Sequence, residues 1–443
     1  MVAALDLRLR VTSPELLGLP WRDPLSAWDP TAVSFRDIPV GPSRHLVRFV
    51  EADGALWALK SLPQRLAQRE YDVLRQMEIR ALSAVRVAGV VIQPVEDEAL
   101  LVTHYLERSW QYRRLLMRIP TAMGVHRGRL FDAMALLLVD LHRNGIYWGD
   151  CSLANTLFMR DGQTIQAWMV DAETAAFHPT LTDGQRQMDL EIMTENVAGG
   201  LLDVAARREE PPEAYDGIID EAHSVARRYT DIWSFLHDEP VVGYGDRRAI
   251  GSRLRDLNDL GFSLDEVRLE PEGDASESLR MKVAVAGRTF HSERLRSLTG
   301  LSVGEGQATI LMNDLRSYHS WLQREQGVDV PEERAALRWL TDVFVPMSER
   351  AFEAGGRVGD PTQAYCDFLE IRWLLSEQAG HDVGDEATSQ ALADHVIPDD
   401  SAATISFVET PTAELPEVDA ELLDDSETSA GPRTGRPPRP GRS

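Results

Sequence analysis

Lysine is almost missing from this chain. Of its 46 basic residues only Lys60 and Lys282 are lysines. A position that has kept lysine against such a bias marks a place where a compact ammonium serves and a broad guanidinium fork does not. Cysteine is as scarce: Cys151 and Cys366 alone make neither a disulfide framework nor a zinc site. Long apolar runs are missing too. The most apolar helix-like run, Leu130 to Leu141, is short and carries Asp132 and Asp140, so no membrane span is expected. No early apolar stretch follows a basic start, so no signal peptide is expected and a cytoplasmic location follows. Positive charge is in deficit, 46 basic against 71 acidic residues for a formal net charge of −25. That argues against nucleic acid or an anionic membrane as the main partner. An anionic ligand would need local basic groups or metal ions. What remains is a globular composition, 43% hydrophobic and 26% charged, over 443 residues. That length implies two or three domains.

Against these absences one stretch stands out, Ile146-Tyr-Trp-Gly-Asp-Cys-Ser-Leu-Ala-Asn-Thr-Leu-Phe158, followed by Ala167-Trp-Met-Val-Asp-Ala-Glu173. It sets Asp150 five residues before Asn155, and a second aspartate, Asp171, after an apolar strand-like run. Phosphoryl transfer on protein-kinase-like folds needs that set: one carboxylate near the acceptor hydroxyl, and an Asn and an Asp to hold Mg²⁺. Asp150 is the candidate base, and Asn155 and Asp171 are the candidate metal ligands. Leu157 falls where an apolar floor under adenine is expected. Any one of these residues alone would pass as a turn former.

The preceding chain fits. Residues 1–25, with Pro14, Pro20 and Pro24, read as an irregular arm. Strands are expected at Ala32–Val40, His45–Val50 and Ala55–Lys60, then a helix from Leu66 to Glu78 with Tyr71, Leu74 and Met77 at helical spacing. Val85–Pro94 and Ala99–His104 supply two more strands. Ala58-Leu-Lys60 matches the strand end where Ala lies against adenine and Lys binds the α/β-phosphates. Glu70 is its natural carboxylate partner, with Glu78 as the substitute. The turn at Gly41, Ser43 and Arg44 could offer N–H groups to phosphate or be a plain hairpin turn. Leu101 to Glu107 reads as a hinge whose backbone near His104, Tyr105 and Leu106 would meet the adenine edge. The His104 side chain is a bystander there.

Beyond the hinge the pattern turns helical. A helix from Phe131 to Asn144 ends at Gly145 and delivers the chain into the central stretch. Asp189, early in a following helix, is placed to accept backbone N–H bonds from the catalytic loop, with Asp183 as a cap. Arginines 113, 114, 118, 127 and 129 read either as a solvated face or as a site for an anionic acceptor. Near Val241 a second domain begins, with a helix to about Leu260, strands at Glu266–Leu269 and Leu279–Val285, and three or four helices to about Gln378. Arg247, Arg248 and Arg253 at its helix start could hold an anion or simply be solvated. From Asp399 the chain is acidic, then rich in Pro, Arg and Gly, and reads as a tail without enough apolar surface to fold.

The set Ala58-Leu-Lys60, Glu70, Trp148-Gly-Asp150, Asn155, Asp171 and Asp189 resembles the atypical protein-kinase-like group that includes lipopolysaccharide kinases and aminoglycoside phosphotransferases. Gly149–Phe158, Val170–Thr174 and Gly243–Gly251 are similar to an actinobacterial family that joins a lipopolysaccharide-kinase-like domain to domain of unknown function 4032. The resemblance covers most of the chain and brings no known substrate with it. Trp148 and Gly149 stand where the catalytic loop usually has His and Arg, which speaks against switching by activation-loop phosphorylation. Ala172-Glu173 replaces Phe-Gly, so a flipping Phe gate is absent. Glu173 is either a supporting carboxylate or faces the adjoining helix.

The expected fold class is α+β: a bilobal protein-kinase-like fold with a small β lobe and a helical large lobe, then a mostly helical α+β C-terminal domain and a disordered tail. The expected boundaries are an arm at 1–25, a small lobe at 26–108, a large lobe at 109–238, a C-terminal domain at 239–395 and a tail at 396–443. The expected function is an ATP- and Mg²⁺-dependent phosphotransferase acting on a hydroxyl of a small molecule, glycoconjugate or protein. The alternative is a nucleotide-binding pseudokinase whose C-terminal domain gives a regulatory or scaffold output. A purely structural interaction protein would require the whole constellation to be accidental.

Overall fold

In the computed structural model, residues 5–38, 44–94, 97–118, 124–272, 278–357 and 359–408 are described. The described chain forms two compact units. One contains residues up to Gln68 and Val87–Tyr105; the other contains Arg69–Arg86 and the chain from Leu106 onward. No helix among the described residues is long and apolar enough to cross a membrane.

The first unit is built on a six-stranded antiparallel sheet. Its order is Asp6–Leu9, Val87–Ile92, Glu98–His104, Ala55–Pro63, Val47–Ala52, Phe35–Arg36. Asp53 and Gly54 both have positive φ (49° and 69°) and close the central hairpin. Paired positive φ values suit a tight two-residue turn that follows the right-handed twist of the strands. The expected strand Ala32–Val40 is described as strand only at Phe35–Arg36. Its end and the residues to Ser43, including Gly41, lie outside the described residues.

The N-terminal arm is not irregular. Asp6–Leu9 pairs with Val87–Ile92 as the edge of the sheet. Leu16, Trp21, Leu25 and Trp28 then pack with Trp57, Leu59, Val91 and Leu100 in one apolar cluster. The indole N–H groups donate to Leu16 O and Asp23 O at 3.0 and 2.9 Å. Two buried tryptophans and two buried leucines stabilise by roughly 1.5–3 kcal/mol each, ample to order an arm whose prolines already restrict its unfolded states.

In the second unit, the helix Gly124–Arg143 leads into a short strand, Ile146–Tyr147. An antiparallel hairpin follows, Thr156–Asp161 with Thr164–Met169, and Trp110–Gln111 lies on its outer side. The helix Asp183–Arg207 starts at a capping box in which Thr182 and Gln185 satisfy one another's backbone N–H groups. The helix Ile218–His237 buries Ile218, Ala222, Val225, Tyr229 and Leu236 along one face.

The part beyond Val241 adds a three-stranded sheet ordered Val241–Gly243, Ser278–Val285, Leu264–Pro271. Most of the rest is helical: Phe290–Thr299, Glu305–Gln326, Glu332–Trp339, Val345–Ala354, Pro361–Ala379 and Gly384–Ala393. Trp339, Phe344, Tyr365, Phe368 and Ile371 sit at its core. There Asp314 accepts from Trp339 Nε1 at 2.7 Å and from Tyr365 OH at 2.8 Å, and burial pushes its carboxyl above the usual range. The helices outnumber the three or four anticipated. The segment expected to open the tail is structured as far as Val408. Ser401 donates to Glu370, and Ala402, Ala403 and Ile405 are buried. The remainder lies outside the described residues.

Two further expectations change. The helix Arg247–Asp259 is capped by its own Asp246, which accepts from Arg248 N and Ala249 N at 3.2 and 3.0 Å. Arg253 donates to Phe235 O. That N-terminus has already spent its donors and is no vacant anion seat. Lys282 pairs with Glu270 across the exposed sheet at 2.7 Å. An exposed pair of this kind contributes little.

Candidate active site

The site grows from the hairpin. Its register pairs Thr156 with Met169, and beyond that pair the Val170 N–H donates to Asn155 O at 3.1 Å. Asn155 faces Val170, the neighbour of Asp171, so both leave the same open end of one hairpin, although 15 residues separate them in sequence. The sequence fixes this arrangement locally, because alternating apolar residues Phe158, Ile165, Ala167 and Met169 are buried and pin the register. Leu157 is half-buried, on the strand face opposite Phe158.

Asp150 is exposed and held by amides. Asn155 Nδ2 donates to its Oδ2 at 2.9 Å and to its backbone carbonyl at 3.2 Å. Asn196 Nδ2 lies 3.4 Å from its Oδ1 and donates to Cys151 O at 3.0 Å. With the Asn155 amide nitrogen turned to Asp150, its amide oxygen points the other way. A carboxylate from Asp171 and an amide oxygen from Asn155 are hard oxygen donors of the kind Mg²⁺ takes alongside phosphate and water, so this donor set fits that cation. Among the described residues no group of three or more His, Cys, Asp or Glu side chains forms a metal cluster.

The loop carrying Asp150 is fastened from beneath. Asp189 is fully buried and accepts from Trp148 N and Gly149 N, both at 2.8 Å, as the sequence indicated. His142 Nε2 is 3.0 Å from the same carboxylate, and His142 Nδ1 is 2.8 Å from Tyr229 OH. Burial, against the pull of Asp189, lowers the His142 pKa. A neutral ring that donates from Nε2 and accepts at Nδ1 satisfies all three groups. Burial also raises Tyr229 to about 12. Trp148, in place of the usual His, is wholly buried, and its carbonyl accepts from Thr174 Oγ1 at 2.8 Å. Cys151 is buried as well, and burial raises its thiol well above the ordinary value, so it offers no thiolate beside Asp150.

The segment after Asp171 is fastened from the side. Asp171 Oδ1 accepts from Glu173 N at 3.0 Å, and Glu70, only 1% exposed, accepts from Ala172 N at 3.2 Å. Arg69, its neighbour on the helix Gln64–Ile79, donates to Thr174 O and Ala175 O at 3.2 and 3.1 Å. Glu78, the substitute for Glu70, pairs with Arg75 at 2.6 Å.

The residues expected to face a nucleotide stand in the first unit. Ala58 and Lys60 share one half-exposed face of the strand Ala55–Pro63, and Trp57 and Leu59 are buried on the other. His104 pairs with Trp57 across the sheet, ring against ring at 4.2 Å, so its side chain lies on the opposite face from Ala58 and Lys60. The Tyr105 N–H donates to Leu56 O at 2.9 Å, and the Tyr105 ring meets Phe49 edge-on. Gly41 and Ser43 lie outside the described residues. The second unit thus brings together Asp150, Asn155, Asp171 and Glu70, with Leu157 on the same hairpin.

Sequence reasoning missed Asn196, His142 and Tyr229. Asn196 had a signal: it falls seven residues after Asp189, two helical turns on and hence on the same face. The arginine stretch proves largely spent on internal partners. Arg113 pairs with Asp203 at 3.0 Å, Arg127 pairs with Glu221, and Arg129 donates to Asp400 O at 2.9 Å.

Residues 54–208 match the model of the lipopolysaccharide kinase (Kdo/WaaP) family, and residues 231–397 match the domain of unknown function DUF4032. Among solved structures, one described as WaaP in complex with acyl carrier protein is similar over 50% of this chain and 100% of that chain, at 18% identity and a TM-score of 0.33. No curated protein matches the chain. The α+β fold class, with its sheet in the N-terminal part and its helical C-terminal part, is as expected.

Proposed function

We propose, taking residues 54–208 as a lipopolysaccharide-kinase-family domain, that this protein transfers the γ-phosphoryl group of ATP to a hydroxyl of a small molecule, glycoconjugate or protein. The observation that carries the reading is the hairpin register that brings Asn155 and Asp171 to the same open end, with Asp150 hydrogen-bonded to Asn155 at 2.9 Å. Asp150 takes the proton of the acceptor hydroxyl. The amides of Asn155 and Asn196 fix its direction and leave a lone pair for that proton. Asn155 and Asp171 hold Mg²⁺, which when bound neutralises charge on the phosphates. Lys60 binds the α/β-phosphates, Ala58 and Leu157 are each assigned to the adenine, and Glu70 keeps the Asp171–Glu173 segment in place. The chain needs no covalent intermediate, since positioning and charge neutralisation suffice.

The test is purified protein with radiolabelled ATP, Mg²⁺ and a cell extract as acceptor source. Label transfer that vanishes in Asp150→Ala is expected; transfer that survives it removes Asp150 from the role of base. One observation favours the alternative of a nucleotide-binding module without turnover: Ala172-Glu173 stands where a gating Phe-Gly is usual. Stabilisation by ATP in a thermal shift, with no transfer to any acceptor, would select it.

A further inference from the structure

The turn of the catalytic hairpin is gripped by the C-terminal part of the chain. Arg160 is buried and makes a two-pronged ion pair with Asp367, at 2.9 and 2.6 Å. Asp161, next to it, caps the helix Glu305–Gln326 by accepting from Gly306 N at 2.8 Å and Gln307 N at 2.9 Å. The Gly162 N–H donates to Gln363 Oε1 at 3.0 Å, and Gln363 Nε2 returns a bond to Gly162 O at 3.0 Å. The fit is close enough to require glycine. A Cβ on Gly304 would lie 2.2 Å from Asp161 Oδ1, and one on Gly306 would lie 2.1 Å from Asp161 O. Three successive residues of the turn are therefore fixed by two helices more than 140 positions away.

The same hairpin carries Asn155 and Asp171 at its other end, with an unbroken register between. Its six-residue strand spans roughly 20 Å, so a tilt of about 3° at the turn displaces the open end by about 1 Å. Displacement on that scale at a reacting centre costs about 100-fold in rate. We propose that the DUF4032 domain is the positioning element for the metal-binding pair. By clamping Arg160, Asp161 and Gly162 it sets the angle at which the hairpin presents Asn155 and Asp171. This inference rests on the reading of those two residues as metal ligands, and it makes Arg160 and Asp367 positioning residues that touch no substrate.

The experiment uses the full chain carrying Asp367→Asn, which breaks one prong, or Gly306→Ala, which wedges the turn without altering charge. Arg372→Ala, which removes exposed pairs with Asp382 and Asp385 in the same domain, is the control. Mn²⁺ is titrated in the presence of a non-hydrolysable ATP analogue and followed by thermal shift. Both clamp variants are expected to weaken Mn²⁺ by about 10- to 100-fold, as loss of an outer support does at metal sites. Binding of the analogue in EDTA should be unchanged, and the control should match the unaltered chain. Folded clamp variants with unaltered Mn²⁺ affinity would overturn the proposal.

Hydrogen exchange separates failure of this inference from failure of the kinase reading. If the unaltered chain binds neither nucleotide nor Mn²⁺, the kinase reading fails. The clamp is still tested by whether amides 153–157 and 169–173 exchange faster in the clamp variants. In the unaltered chain, under rising denaturant, those amides should open together with 304–307, and independent opening would refute the clamp even if both variants fail to fold.

Discussion

The two ends of the Thr156–Met169 hairpin are built on opposite terms. At the turn, Arg160 and Asp161 are buried, and their charges meet an ion pair and a helix N-terminus. At the open end, Asp150 is exposed and held by amide-to-carboxylate contacts, and Asn155 and Asp171 are half-buried. Buried, ion-paired charges resist movement because separating them leaves an uncompensated ion. Groups proposed to receive a cation or a proton need to stay open to it. A site of the second kind needs supports of the first kind nearby, and this hairpin has one at the turn, while Asp189 supplies another beneath the loop.

The sharpest way to break that comparison is to alter one end at a time. Asp150→Ala is expected to lower phosphoryl transfer by about 10³- to 10⁴-fold while leaving the unfolding midpoint within about 2 °C, since an exposed carboxylate is lost. Transfer assays and thermal melts on one preparation check both halves. Arg160→Ala should do the reverse in kind, costing about 3–5 kcal/mol in urea unfolding by leaving Asp367 buried without its partner. A loss below about 1 kcal/mol would mean the turn is not clamped. Asn196→Ala should lower turnover by about tenfold with KM little changed, because it frees Asp150 to rotate without touching substrate binding.

The pH dependence comes next. Burial holds His142 below its ordinary 6.5, and His126 and His237 are lowered in the same way. As pH falls, the unfolded chain takes these protons first. Their contribution is therefore complete above pH 6.5 and is lost as pH drops from there through the folded values. His142→Gln should flatten that acid limb in denaturation measured between pH 7 and 5, leaving the share of the other two rings. Lys282→Ala is the smallest effect, within about 0.5 kcal/mol and without effect on transfer, as befits an exposed cross-strand pair.

Much of the site was legible because its residues lie close together along the chain. Asp150, Asn155 and Asp171 share 22 positions, and a hairpin with alternating buried residues turns that spacing into adjacency. Asp189 was legible because one helix turned toward the loop brings it back. Asn196 lay on the same face and was passed over, since an amide on an amphipathic helix resembles any surface amide. His142 and Tyr229 had no sequence signal, because the partner each meets comes from a separate helix. In the fold, the strands near His45–Val50, Ala55–Lys60, Val85–Pro94 and Ala99–His104 and the helix near Leu66–Glu78 followed from periodicity. The N-terminal arm was misjudged because its prolines suggest irregular chain, whereas Trp21 and Trp28 bury against the sheet.

The amino-acid order by itself determined the chemistry on offer. A lysine retained on a strand, an Asp–Asn pair five apart and an aspartate after an apolar run are choices of functional group, and local spacing suffices to read them. Only the tertiary structure decided how that chemistry is held. The clamp on Arg160–Gly162 joins residues some 140 to 207 positions apart through burial and directional hydrogen bonds. Nothing in the spacing of either segment encodes the partner, because complementarity of this kind exists only once both surfaces have formed.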